Sequence, residues 1–238
     1  MFEYIADLFL SPLKFIAKLF TPSKAHDPYS AESLNLSYKN INKKWMEANK
    51  VELAKYKNLK ELNISSNNCG PEVAMEILEC IPSSMEKLVL KENKLFGQQS
   101  DILKIILGKF PNLKELDLSY SYRDNYDAFE QMLSQLPKDL KHTKLEKLDL
   151  SNGYFDNIKL LAKFLELVPN LKVLDLNWNW MGHWYDKDKD SLKDLQPLHQ
   201  ELQLLHQNLP KNLKDLNLGG NSLEPKGLGI LLSAESPL

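Results

Sequence analysis

Apolar residues along this chain return in one fixed arrangement, at offsets 0, 3 and 5 from a starting position and in most copies again at offset 10. Starts at residues 31, 59, 85, 113, 145, 171 and 213 place the copies 26 to 32 residues apart, with a longer final step of 42. The clearest copies read LKELNISSNNC from Leu59, MEKLVLKENKL from Met85, LKVLDLNWNWM from Leu171 and LKDLNLGGNSL from Leu213. Weaker ones begin at Ala31, Leu113 and Leu145. The middle of each copy, such as Leu88-Val89-Leu90, alternates inward and outward residues and predicts a short strand with one buried face. Apolar spacing of three and four residues predicts helices over Val73–Ile81, Ile102–Phe110, Phe129–Leu136 and Ile158–Val168, each followed by a proline that cannot continue it: Pro82, Pro111, Pro137 and Pro169. One strand and one helix per copy, repeated in the same sense, predict an α/β solenoid with parallel strands.

These copies resemble the leucine-rich-repeat family over about residues 31 to 234, and a strand plus a full helix per repeat resembles its ribonuclease-inhibitor-like subclass. The resemblance implies a horseshoe of about seven repeats with a parallel concave sheet and convex helices. It also implies a role for Asn67, Asn93, Asn179 and Asn221 at offset 8, each satisfying backbone groups inside its turn. Lys39, Ser121 and Gly153 stand at that offset in the other copies, where looser turns are expected. One repeat cannot bury its own apolar face, so stability accumulates between neighbours and both ends need covering.

In such an architecture the residues between the buried leucines form columns on the concave face. Offsets 7 and 9 of the fourth to sixth repeats carry Tyr120, Tyr122, Tyr154, Trp178 and Trp180, with Trp184 and Tyr185 just beyond. Large, rigid aromatic side chains dominate binding hot spots, so this column is the expected partner-binding surface. The bland alternative is that the rings pack on neighbouring turns. Asp117, Asp149 and Asp175, with Glu115, would make the same patch acidic and suited to a protein partner with a basic, partly apolar surface. Leu-Asp-Leu is also ordinary consensus for this family, so the aspartates equally suit a purely structural role. The expected function is a non-catalytic interaction scaffold or inhibitor.

The segment of about 182–210 reads as an insertion in a repeat domain spanning 25–238. Its Asp186, Asp188 and Asp190 alternate as in a calcium loop, but Ser191 occupies the glycine position and Pro197 the bidentate glutamate position, so no metal is expected. A helix follows over Leu192–Leu209, with His199 and His206 too far apart to chelate one ion and expected on the surface.

Residues 1–24 form a separate N-terminal amphipathic segment. At helical spacing Phe2, Ile5, Phe9, Leu13, Ile16 and Phe20 share a broad apolar face, while Glu3, Asp7, Lys14 and Lys18 fall on a narrow polar one. Three destinations compete: covering the first repeat, lying in a membrane interface, or docking in a partner's groove. The second would make the protein peripheral to a membrane.

Composition narrows the classes further. A formal net charge of -2 gives no field favouring nucleic acid, and two cysteines, Cys69 and Cys80, make neither a disulfide framework nor a metal set. There is no basic leader with a cleavage site, so a cytoplasmic location is expected. No nucleophile motif, phosphate loop or cofactor fingerprint is present, and neither an enzyme nor a cofactor is expected. Resemblance to bacterial members that act by binding host proteins adds delivery into a host cell as an alternative.

Overall fold

The computed structural model describes residues 28–95, 101–121, 132–134, 136–137, 140–153, 156–182 and 195–233. The segment 1–24, with Phe2, Ile5, Phe9, Leu13, Ile16 and Phe20, lies outside the described residues, as do Asp186, Asp188 and Asp190.

Seven three-residue strands occupy offsets 2 to 4 of the seven copies: β1 (Ser33–Asn35), β2 (Glu61–Asn63), β3 (Lys87–Val89), β4 (Glu115–Asp117), β5 (Lys147–Asp149), β6 (Val173–Asp175) and β7 (Asp215–Asn217). They form one parallel sheet in sequence order, and every pairing matches equal offsets, Leu62 with Leu88 and Leu148 with Leu174 for example. The strand of the third copy begins one residue earlier than Leu88, at Lys87. The leucines at offset 3 and the apolar residues at offset 5 are buried in one continuous core from the first to the sixth repeat.

On the core side of the sheet run α1 (Lys43–Leu53), α2 (Pro71–Cys80), α3 (Ile102–Lys109), α4 (Ile158–Leu165), α5 (Gln196–Asn208) and α6 (Pro225–Leu231). Neighbouring helices pack side by side, α1 on α2, α2 on α3, α4 on α5 and α5 on α6. The starts are set locally: Asn42 caps α1 by accepting from Trp45 N at 3.0 Å, and Pro71 opens α2 at a position where its missing N–H costs nothing. Ile81, just before Pro82, is extended and ends α2. Periodicity missed α1 and α6, and α4 stops at Leu165, short of Val168. Only residues 132–134 of the helix expected over Phe129–Leu136 are described as helical.

The offset-8 asparagines behave as the resemblance implied. Asn93, 2% exposed, donates from Nδ2 to Ile64 O (2.9 Å), Leu90 O (3.0 Å) and Lys91 O (3.2 Å), while its Oδ1 accepts from Asn67 N and Cys69 N, both at 3.2 Å. Each asparagine therefore serves its own turn and the turn before it. That corrects the expectation of looser turns at Lys39 and Gly153. The Lys39 and Ile41 amides donate to Asn67 Oδ1 at 2.7 and 3.2 Å, and the Gly153 amide donates to Asn179 Oδ1 at 3.0 Å. At the fourth repeat the Ser121 hydroxyl substitutes for the amide, donating to Leu90 O at 3.2 Å.

Stacking also reveals a charge ladder. Offset 1 carries Glu32, Lys60, Glu86, Lys114, Glu146, Lys172 and Lys214, alternating in sign until the last step. Lys60–Glu32 (2.7 Å), Lys114–Glu86 (2.6 Å) and Lys172–Glu146 (2.8 Å) are ion pairs between adjacent repeats. Hydrogen bonds from Lys114 and Lys172 hold the Glu86 and Glu146 carboxyls below the usual glutamate range. Exposed pairs contribute little energy each, but a slip by one whole repeat would place like charges opposite one another, so the ladder enforces register.

At the N-terminal end, Tyr29 donates its hydroxyl hydrogen to Glu52, which is 5% exposed, and stacks edge-on against Tyr56 with centroids 5.2 Å apart. Lys55 pairs with the same carboxylate at 2.9 Å and lies 5.0 Å from the Tyr29 ring centroid. This cluster ties residues 28–30 onto the end of α1.

Candidate interaction surface

The open sheet face is built from three columns. At offset 4, Asp117, Asp149 and Asp175 are in-register neighbours, about 4.8 Å apart by strand spacing. Each carboxylate Oδ1 accepts the backbone N–H two residues ahead: Ser119 (3.0 Å), Ser151 (2.9 Å) and Asn177 (2.9 Å). Asn35, Asn63 and Asn217 make the same turn-closing bond at their copies of this offset. Six of the seven copies thus use a side-chain acceptor at offset 4, Val89 being the exception, and negative charge is additional. Burial, and then the Asp117 and Asp175 charges, push the Asp149 carboxyl above its ordinary value. Glu115, at offset 2, pairs with Lys87 at 2.9 Å, so its charge is already balanced.

Offset 7 is the conformationally special column. All seven of its residues have positive φ: Tyr38 (57°), Ser66 (56°), Glu92 (55°), Tyr120 (57°), Asn152 (56°), Trp178 (56°) and Gly220 (66°). Left-handed backbone costs an L-residue roughly 1–2 kcal/mol relative to glycine, and bulky side chains rarely accept it. Tyrosine or tryptophan nevertheless occupies three of these seven turns. Tyr38 is 77% exposed, Tyr120 39% and Trp178 55%; Trp180, at offset 9 with φ 63°, is 37% exposed. These rings are therefore displayed at the rim of the sheet face and not absorbed into the core.

Their neighbours orient them. The Trp178 indole lies directly over Gly220, where an added Cβ would come within 2.6 Å of its Cδ2. Lys91 Nζ stands 5.3 Å from the Tyr120 ring centroid, within cation–π range. Tyr120 and Trp178 are two strands apart, about 10 Å by strand spacing, with Asn152 between them. Tyr122, Tyr154, Trp184 and Tyr185 lie outside the described residues. Tyr38 stands at the same offset in the first copy, where its spacing from Ala31 makes it readable in the sequence as a further displayed ring.

The two histidines of α5 need correction. His199 is buried, 7% exposed, with Nε2 2.5 Å from Glu224 Oε1, because α6 packs across the face expected to meet water. Glu224 also caps α6 by accepting from Lys226 N (2.9 Å) and Gly227 N (2.8 Å), and the His199 hydrogen bond leads in lowering its carboxyl below the usual range. His206 is half-buried. Among the described residues no group of three or more His, Cys, Asp or Glu could hold a metal ion, and no helix is long and apolar enough to cross a membrane.

In-register parallel strands, helices between most of them and a buried asparagine in four of the turns give the described residues the architecture of a leucine-rich-repeat solenoid. A family model described as Leucine Rich repeat matches residues 169–182 and 210–229. Two of the solved structures similar to the chain serve as examples. One is the leucine-rich repeat-containing protein LegL7 from Legionella pneumophila, at 19% identity and TM-score 0.44 over 94% of this chain and 87% of that one. The other is internalin C2 from Listeria monocytogenes, at 16% identity and TM-score 0.48 over 94% and 91%. No curated protein sequence matches this chain.

Proposed function

We propose that this chain is a non-catalytic scaffold that holds a protein partner against its open sheet face, with Tyr120, Trp178 and Trp180 as the anchoring rings. The observation that carries the reading is the display of bulky aromatic side chains from left-handed turn positions that glycine or asparagine would fill at lower conformational cost. Strain accepted at an exposed position, with no core burial in return, is accounted for when the ring has work to do at a surface. The row of Asp117, Asp149 and Asp175 beside the rings favours a partner segment that combines Lys or Arg with apolar side chains.

The test is selection from a displayed peptide library, followed by binding measurements on the Tyr120→Ala, Trp178→Ala, Trp180→Ala variant, with its fold checked by circular dichroism. Selected peptides should be enriched in basic and apolar residues and should bind the variant at least ten times more weakly, since each lost anchor is worth roughly 1–2 kcal/mol or more. Binders that hold the folded variant as tightly as the parent would overturn the proposal.

A further inference from the structure

Helices α5 and α6 lie side by side but close on each other along only one side of their seam. On the inner side they are pressed together: a Cβ added at Gly227 would come within 2.9 Å of Leu202 Cδ1, and His199 bonds Glu224. On the outer side a Cβ added at Gly229 would meet nothing within 4 Å. The result is a groove of about 1100 Å³ between Gln203, His206 and Gln207 of α5 and Lys226, Gly229 and Ile230 of α6. Leu228 and Leu232 fall on the opposite face of α6 at helical spacing and do not line it.

Gly229 weakens the helix it stands in, since glycine is the poorest helix former after proline. No close neighbour demands it, as Leu202 demands Gly227, and its backbone is not left-handed, as that of Gly220 is. What the missing side chain leaves is space. Charge around that space has one sign. Lys211 and Lys226 line it, neither in an ion pair among the described residues, and no described acid does. The one acid of α5, Glu201, pairs with Lys159 at 3.1 Å, and Glu224, which caps α6, is held by His199. His206 adds a ring positioned by the Leu231 carbonyl (3.3 Å) and the Ser233 hydroxyl (3.4 Å). Gln203 and Gln207 bring amide donors without charge, and half-buried Ile230 an apolar surface.

We infer that this groove is a second binding site, taking an acidic segment of a protein partner whose carboxylates reach Lys211 and Lys226 and whose apolar side chains lie on Ile230. Charge complementarity names the occupant: two lysines and two glutamine amides offer donors, and nothing in the lining repels a carboxylate. The groove is opposite in sign to the aspartate row of the sheet face, so the two surfaces select different chemistry. This site is separate from the aromatic rim and does not depend on what binds there.

The test titrates the full chain into a blocked, fluorescently labelled peptide of Glu-Glu-Leu units, with one of Lys-Lys-Leu units alongside, and reads anisotropy. The acidic peptide should bind the Lys211→Glu, Lys226→Glu variant on the order of tenfold more weakly than the parent, with no matching loss for the basic peptide. Gly229→Gln should raise the thermal midpoint, glutamine being the better helix former, and still weaken the acidic peptide several-fold by filling the groove. The Tyr120→Ala, Trp178→Ala, Trp180→Ala variant should hold the acidic peptide as the parent does. No binding of that peptide at millimolar concentration, or equal affinity for the parent and the folded double lysine variant, would overturn the inference. Loss of binding in the aromatic variant would place the peptide on the sheet face and overturn it as well.

Discussion

Replacing Asn93 by alanine removes one side chain but touches two turns, its own and the one before it. Its Nδ2 serves the carbonyls of Ile64, Leu90 and Lys91, and its Oδ1 receives the amides of Asn67 and Cys69, all within a site where the residue is 2% exposed. A buried backbone group left without a partner costs about 1–3 kcal/mol. Ile64 and Leu90 have carbonyls that cannot turn to solvent without breaking the ladder, and the two amides face the same cavity. A water entering the vacated space would recover part of this, since an amide-sized hole lined by polar atoms can hold one. The expected loss is therefore roughly 3–5 kcal/mol, a large fraction of the stability of an ordinary domain. Because Asn67 donates its amide to Asn93 and in turn holds the Lys39 turn, the Asn67→Ala and Asn93→Ala losses should be non-additive, with a coupling of about 1 kcal/mol or more. Urea unfolding followed by far-ultraviolet circular dichroism measures both numbers. Asn35→Ala is the control, since its exposed Oδ1 serves only Ser37 and the loss there should stay near 1 kcal/mol. A loss for Asn93→Ala no greater than that of Asn35→Ala would refute the claim that the turn asparagines lock neighbouring repeats together.

Tyr38→Asn should stabilise the protein by roughly 0.5–1 kcal/mol, because asparagine tolerates left-handed φ and a ring 77% exposed gives up little packing; thermal unfolding reads the sign. Gly220→Ala should cost about 1–2 kcal/mol and displace the Trp178 indole, seen as a change in tryptophan fluorescence. Asp149→Asn keeps the acceptor that Ser151 uses and removes a carboxylate whose folded-state pKa is raised by burial. The parent carboxyl opposes folding above its unfolded value, so the variant should be more stable at neutral pH, with the gain fading as pH falls through the raised value toward the unfolded one. Glu224 has the opposite sign. Its depressed pKa means stability present above the unfolded value and lost as pH falls through the folded one, so Glu224→Gln should flatten the acid limb of a stability-versus-pH curve.

How far the sequence reached depends on the range of the interaction concerned. Leucine spacing located all seven strands because inward alternation is local, and one register for the sheet follows when every copy carries the same offsets. Asn67, Asn93, Asn179 and Asn221 were readable for the same reason. Their reach into the preceding turn was not, because the carbonyl that Asn93 serves at Ile64 lies 29 residues away. The alternating charges from Glu32 to Lys172 stand in plain view in the sequence, yet they acquire meaning only when stacking brings each within 3 Å of its complement. His199 illustrates the opposite failure: its position on α5 was correct, and α6 buried it, since a helix pattern cannot say which faces a later element will cover.

The columns at offsets 4 and 7 divide along the same line. That aspartates and asparagines recur at offset 4, and tyrosines and tryptophan at offset 7, is a property of the chain itself. That offset 7 is left-handed in every repeat, leaving those rings at a rim, arises from the turn geometry that parallel stacking imposes on each copy. Sequence alone determined the repeat, its period and the residues facing inward, because apolar burial acts on each strand and helix separately. Tertiary structure alone decided which charges neutralise one another and which histidine is dry, because each of these joins residues from different turns of the solenoid.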